Sequence, residues 1–109
     1  MSINDQAHDE IPTVLTQVTV PGCPAYDLLT FKSGCPFLSQ KLQSTGGYEP
    51  CETAIMCQLI TPGDTVLDIG ANIGYFTILA SKLVGPKGRV FAFEPEAKNF
   101  NVLSQNADR

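Results

Sequence analysis

Thr65-Val66-Leu67-Asp68-Ile69-Gly70-Ala71-Asn72-Ile73-Gly74 decides the fold, answered further on by Arg89-Val90-Phe91-Ala92-Phe93-Glu94-Pro95. Thr65 to Ile69 is an apolar, β-branched run without polar alternation, which predicts a strand buried on both faces of a parallel sheet. Gly70 and Gly74 bracket a tight turn in which glycine permits positive φ and brings the main chain close to a ligand. From Ile73 the positions Phe76, Thr77, Ala80, Leu83 and Val84 recur at helical spacing and give one face to pack on the sheet. Gly85-Pro86 stops that helix, and Lys87-Gly88 turns the chain into a second strand, again expected to be buried on both faces. Glu94 stands at the C-terminal end of this strand, where open α/β sheets bind their ligands. Pro95 and Glu96 open a further helix, with Phe100, Leu103 and Ala107 as its expected core face.

The charges around the turn select the ligand class. A dinucleotide fingerprint reads Gly-x-Gly-x-x-Gly, whereas this chain has Gly70-Ala71-Asn72-Ile73-Gly74. Asp68 lies just ahead of the turn, where it would repel a pyrophosphate but favour an ammonium or sulfonium. Glu94 follows Gly70 by 24 residues, near the spacing at which an acid reaches a ribose diol. S-adenosyl-L-methionine has the matching pattern: a cationic methionine end, a carboxylate for the helix N-terminus and a ribose. Each residue also has a plainer reading. The turn can be an ordinary strand–helix connection. Glu94 can be a helix-start acid, and Asp68 a cap or an acceptor for loop amides. Asn72 can simply supply a backbone angle that asparagine tolerates. Glu49 faces either the methionine end of the cofactor or solvent. Tyr75 and Thr77 read as packing residues.

Asp68-Ile-Gly-Ala-Asn-Ile-Gly-Tyr-Phe-Thr77 followed by Val84-Gly-Pro-Lys-Gly-Arg-Val-Phe-Ala-Phe-Glu-Pro95 resembles the FkbM family of S-adenosylmethionine-dependent methyltransferases. Upstream, Gly47-Tyr48-Glu49-Pro50-Cys51-Glu52-Thr53 is similar to the segment preceding the first strand of that family. The likeness runs from about Gly47 to Asn106, with two separated motifs in the same order and spacing. It implies a Rossmann-like, class I methyltransferase domain that moves a methyl group to an oxygen of a sugar or natural product. Asp68, Gly70, Asn72 and Gly74 fall on the family's cofactor loop, and Glu94 on its ribose acid. With Ala71 inside the loop and Glu49 ahead of it, these form the expected cofactor set. No catalytic residue can be named.

The rest of the chain bounds these readings. Its 109 residues allow one small domain, and 43% hydrophobic content without tryptophan is ordinary for a globular chain. A net charge of −4 without a basic run gives no sign of nucleic-acid or anionic-membrane binding. No stretch reaches the ~18 apolar residues of a membrane helix, and no signal-peptide pattern is visible, so the cytoplasm is the expected compartment. Cys23, Cys35, Cys51 and Cys57 lack metal-site spacing, and His8 stands alone, so scattered thiols without a metal are expected. Residues 1–12 read as a disordered tail and 13–47 as N-terminal strands and loops. In this second region Thr13 to Val20 and Tyr26 to Phe31 are strands, and a short helix lies around Leu38 to Leu42. Pro50 to about Ile60 is a helix closed by Pro62-Gly63. Residues 48–109 then form the first half of the Rossmann-like domain.

The expected fold is therefore α/β: an incomplete Rossmann-like parallel sheet with an N-terminal β-hairpin and helix extension. A first strand that is central in such a sheet needs neighbours on both sides. With only one following strand, apolar faces and edges are expected to stay uncovered. The expectation is a truncated methyltransferase, inactive alone, whose small-molecule acceptor site and missing strands belong to a downstream polypeptide. Two alternatives stay open: a non-enzymatic remnant or subunit needing a partner chain, and an NAD(P)-binding oxidoreductase fragment. The latter wants a third glycine and no acid at position 68.

Overall fold

The computed structural model describes residues 11–32 and 37–109, so Cys35, His8 and most of the expected tail lie outside the described residues. Strands β1 (Thr13–Val18) and β2 (Tyr26–Phe31) pair antiparallel, with Thr13 opposite Phe31 and Val18 opposite Tyr26. The short helix expected near Leu38 runs longer, as α1 (Phe37–Thr45), and α2 follows over Pro50–Leu59. Strand β3 (Thr65–Ile69), helix α3 (Tyr75–Val84) and strand β4 (Arg89–Phe93) form a parallel β-α-β unit, and α4 (Ala97–Ala107) closes the chain. The sheets remain two separate pairs, β1–β2 and β3–β4.

The hydrophobic core lies beneath the hairpin. Val18, Leu28, Phe31, Leu38, Leu42, Ile73, Tyr75, Leu79 and Val102 form one buried cluster, joining α1, α3 and α4 to the hairpin. Burying one such side chain stabilises by about 1.5–3 kcal/mol. The outer edge of β2 is clasped by side chains instead of another strand. Asn106 Oδ1 accepts the Leu29 N–H at 2.7 Å, and Asn106 Nδ2 donates to the Leu29 carbonyl at 3.1 Å and to the Ile73 carbonyl at 2.7 Å. The Phe31 N–H donates to Ser39 Oγ at 3.0 Å, while Gln43 Nε2 donates to the Phe31 carbonyl at 2.7 Å. An edge that could template another chain is thereby satisfied.

Four expectations are corrected. β3 and β4 are not buried on both faces: Leu67, Ile69, Phe91 and Phe93 are 63%, 75%, 46% and 51% exposed. Val66, Asp68, Val90 and Ala92, on the other side of the pleat, are half-buried, in the layer that packs against α3. The uncovered apolar face is the one an incomplete sheet was expected to leave. Second, α3 begins at Tyr75, not Ile73, because Gly74 and Asn72 adopt left-handed backbone, and its buried face adds Tyr75 and Leu79. Third, Phe100 is exposed and Ala107 lies at the surface; α4 buries Val102, Leu103 and Asn106. Its rotation follows from the three bonds of Asn106, which draw that side chain against β2. Glu96, expected inside the helix, is its N-cap, its carboxylate accepting the Lys98 N–H at 2.8 Å.

Candidate functional site

The turn after β3 is built from backbone that few residues adopt. Gly70 has φ 77°, Asn72 φ 56° and Gly74 φ 105°. The two outer glycines do different work. A Cβ on Gly74 would come within 2.9 Å of Leu103 Cδ1, so Gly74 lets α4 approach. A Cβ on Gly70 would meet nothing within 4 Å, so its main chain faces open space. Gly70 and Ala71 both donate their N–H groups to the Phe93 carbonyl, at 2.9 and 3.0 Å, which folds the turn over the end of β4. Ala71 itself is buried.

Two carboxylates flank this turn. Glu94 accepts the Asn72 N–H on Oε1 at 2.7 Å and the Glu96 N–H on Oε2 at 3.0 Å. It thus fixes the entry to α4, in keeping with its plainer reading as a helix-start acid, and also the left-handed loop, which the sequence did not suggest. Asp68 accepts the Thr77 hydroxyl on Oδ2 at 2.6 Å, so Thr77, read as a packing residue, also orients the strand-end acid. In the parallel register Asp68 lies opposite Ala92, two residues before Glu94. Asn72 supplies the unusual backbone angle, and its buried Oδ1 has no hydrogen-bond partner. A buried acceptor left unpaired costs about 1–3 kcal/mol, which makes it a candidate contact for a donor from outside the chain.

Glu49 belongs to the same end of the sheet by topology. Helix α2 leads through the turn at Thr61–Asp64 into β3 and packs against α3, the helix that follows the loop. A direct bond marks this closeness: Thr53 Oγ1, in the first turn of α2, lies 3.0 Å from the hydroxyl of Tyr75, the first residue of α3. Glu49 caps α2 in left-handed backbone with φ 45°, and its side chain makes no bond to its own helix. Among the described residues, Glu49 and Asn72 are the two non-glycine residues with positive φ. Strained backbone of this kind costs about 1–3 kcal/mol and clusters where a ligand is held.

Asp68, Gly70, Ala71, Asn72, Gly74 and Glu94 are therefore gathered around one turn, with Glu49 at the same sheet end. The polar atoms the flanking side chains offer are mostly acceptors: two carboxylates and an amide oxygen. Such a set suits hydroxyl and cationic donors and disfavours a phosphate. Among the described residues no group of three His, Cys, Asp or Glu side chains could hold a metal ion. No helix of the described residues is long and apolar enough to cross a membrane.

Comparison with known proteins places these features. The Methyltransferase FkbM domain matches residues 68–108. Over 50 residues the chain is 48% identical to 31-O-demethyl-FK506 methyltransferase FkbM of Streptomyces tacrolimicus, covering 46% of this chain and 19% of that protein. Over 50 residues it is 46% identical to the probable cobalt-precorrin-6B C(15)-methyltransferase (decarboxylating) of Saccharolobus solfataricus, covering 46% of this chain and 25% of that protein. The matched part thus spans a quarter or less of the length of either relative. Among solved structures, a protein-L-isoaspartate O-methyltransferase superposes with TM-score 0.51 at 19% identity, covering 100% of this chain and 28% of the other. The chain thus resembles the FkbM methyltransferases over residues 68–108 and shares its α/β fold with a protein-L-isoaspartate O-methyltransferase.

Proposed function

We propose that the turn at Gly70–Gly74 is the cofactor loop of an S-adenosyl-L-methionine-dependent methyltransferase acting on a hydroxyl of a sugar or natural product. The observation that carries this is the buried, unpaired Oδ1 of Asn72 in an open left-handed turn between two carboxylates. The residues fit the cofactor. Glu94 and the Asn72 amide would take hydroxyl or amino donors, Asp68 and Glu49 would favour the cationic methionine end, and Gly70 leaves room for the main chain to approach. Bound there, S-adenosyl-L-methionine supplies an electrophilic methyl group. The protein's part is to hold the acceptor oxygen in line with it and to take up the hydroxyl proton.

The same reading makes the 109-residue chain inactive by itself. Among the described residues one face of the β3–β4 pair is uncovered, and further strand–helix units, in the same polypeptide or another, would be needed to seal it. That open face also favours a second reading, a subunit whose role is to pair with another chain. Equilibrium dialysis with S-adenosyl-L-methionine tests the first. The chain should bind more weakly than about 100 µM, and Asn72→Leu should abolish what binding there is. Micromolar binding would contradict the half-site reading; none at millimolar cofactor would contradict the cofactor assignment. A wild-type chain that binds no cofactor and pairs stably with strand–helix units would leave the subunit reading.

A further inference from the structure

A second concave site lies beside the turn and shares no residue with the cofactor set. It is a groove of about 550 Å³ between the end of the hairpin, α1, α2 and the start of α3, walled by Val20, Pro21, Tyr48, Ala54, Cys57 and Tyr75. That volume falls in the range of small-molecule pockets, about 300–1,000 Å³. Asp68, Gly70, Asn72 and Glu94 do not line it, so it is not the cofactor cradle.

Its floor is preorganised. The Thr53 hydroxyl donates to the Tyr48 carbonyl at 2.8 Å and pairs with the Tyr75 hydroxyl at 3.0 Å, with both Thr53 and Tyr75 buried. The Tyr48 ring is braced edge-on by Phe37 at 6.4 Å and by Tyr75 at 5.7 Å. Tyr75 directly follows Gly74, so the residue that ends the turn's α3 side is also the groove's inner wall. Among the described residues Lys41 is the charged residue that lines the groove and no carboxylate lines it, while Glu49 and Glu52 lie close enough to Tyr48 at its rim to add to the effect of burial in raising that hydroxyl's pKa.

We propose that this groove binds a small, largely apolar molecule, neutral or anionic, with any anionic group directed to Lys41, and that, against the expectation of an acceptor site wholly outside this chain, it is the acceptor side for an apolar natural product and not for a sugar. Only the word acceptor rests on the methyltransferase reading; binding in the groove does not depend on the cofactor. A protein segment is the less suitable occupant, since the groove's volume of about 550 Å³ is that of a small-molecule pocket.

The test is an amide chemical-shift titration of the chain with decanoate, decanol and decylamine, without cofactor. Decanoate and decanol should shift Tyr48, Ala54 and Gln58, and decylamine should bind about threefold or more weakly than decanoate. Ala54→Trp and, independently, Thr45→Trp should block the shifts, because both residues line the groove and are exposed. Lys41→Glu should reduce decanoate binding by about threefold and leave decanol unchanged. Shifts confined to the open face at Leu67 and Phe93, persistence in both tryptophan variants, or equal binding of decylamine would overturn the proposal. So would groove shifts that follow protein concentration alone, which would assign the groove to a second copy of the chain. Groove binding without cofactor binding would remove the acceptor role and keep the site; the converse would remove the site and keep the cofactor loop.

Discussion

The molecule contains two sheets of two strands each, and they are finished to different degrees. In β1–β2 the inner side chains Val18, Leu28 and Thr30 are buried, and the free edge of β2 is clasped by Asn106, Ser39 and Gln43. In β3–β4 one face packs toward α3, while Leu67, Ile69, Phe91 and Phe93 stand in solvent. Exposed apolar patches on folded proteins are found at interaction sites. The antiparallel pair, though Val14 and Leu15 on it are exposed, is sealed on its inner face and works as a buttress. The parallel pair carries the candidate ligand turn and stays open. Under the proposed function, stability and ligand chemistry are divided between the two sheets, with α3 and α4 joining them.

Substitutions can break or sharpen that division. The largest effect is expected at Leu28→Ala, which opens a cavity in the sealed pair and should cost about 2–5 kcal/mol in urea unfolding. Leu67→Ala on the open pair should stay within about 0.5 kcal/mol of wild type. Similar losses for the two would erase the distinction. Next, Asn106→Leu should cost about 2–3 kcal/mol, because it leaves the Leu29 N–H and carbonyl and the Ile73 carbonyl without partners. Amide exchange should then rise at Leu29 before it rises in β3. Unchanged protection at Leu29 would show that α4 docks by its apolar residues alone. The smaller effect separates the two glycines of the turn. Gly74→Ala adds a 2.9 Å clash with Leu103 to its φ of 105°, and should cost about 1–3 kcal/mol. Gly70→Ala meets no neighbour, so its cost should be about 1 kcal/mol and its main effect should fall on cofactor binding. Equal stability losses would contradict the assignment of Gly70 to ligand and Gly74 to packing.

The strand–turn–helix–strand of residues 65–93 was legible because its signals are local: β-branched runs, two glycines and a helical stripe agree on the same boundaries. The α2 boundaries were legible for the same reason, with Pro50 at one end and Pro62-Gly63 past the other. What was hidden depends on partners distant in sequence. An apolar strand reads identically whether its second face is covered or bare, so β3 and β4 looked buried on both sides. Asn106 carries no local mark of its place, and only the edge of β2 turns α4 so that Asn106 faces inward and Phe100 outward. Strand β1 ends at Val18 and not Val20 as the chain enters the turn in which the Cys23 N–H donates to the Val20 carbonyl at 3.0 Å. The candidate site residues could be named from the sequence; the bonds they make could not. That Thr77 steadies Asp68, and that Glu94 holds the Asn72 amide, needed the folded turn.

The most direct measurement is an amide shift map of the 15N-labelled chain with S-adenosyl-L-methionine at about 1–5 mM, a range set by the weak binding expected of a half-site. The cofactor-loop account predicts saturable shifts at Gly70, Asn72 and Glu94, with the Asn72 side-chain amide moving as its oxygen gains a donor, and no movement at Leu28 or Leu29. Shifts that bypass the turn, or that appear equally with adenosine diphosphate, would contradict it.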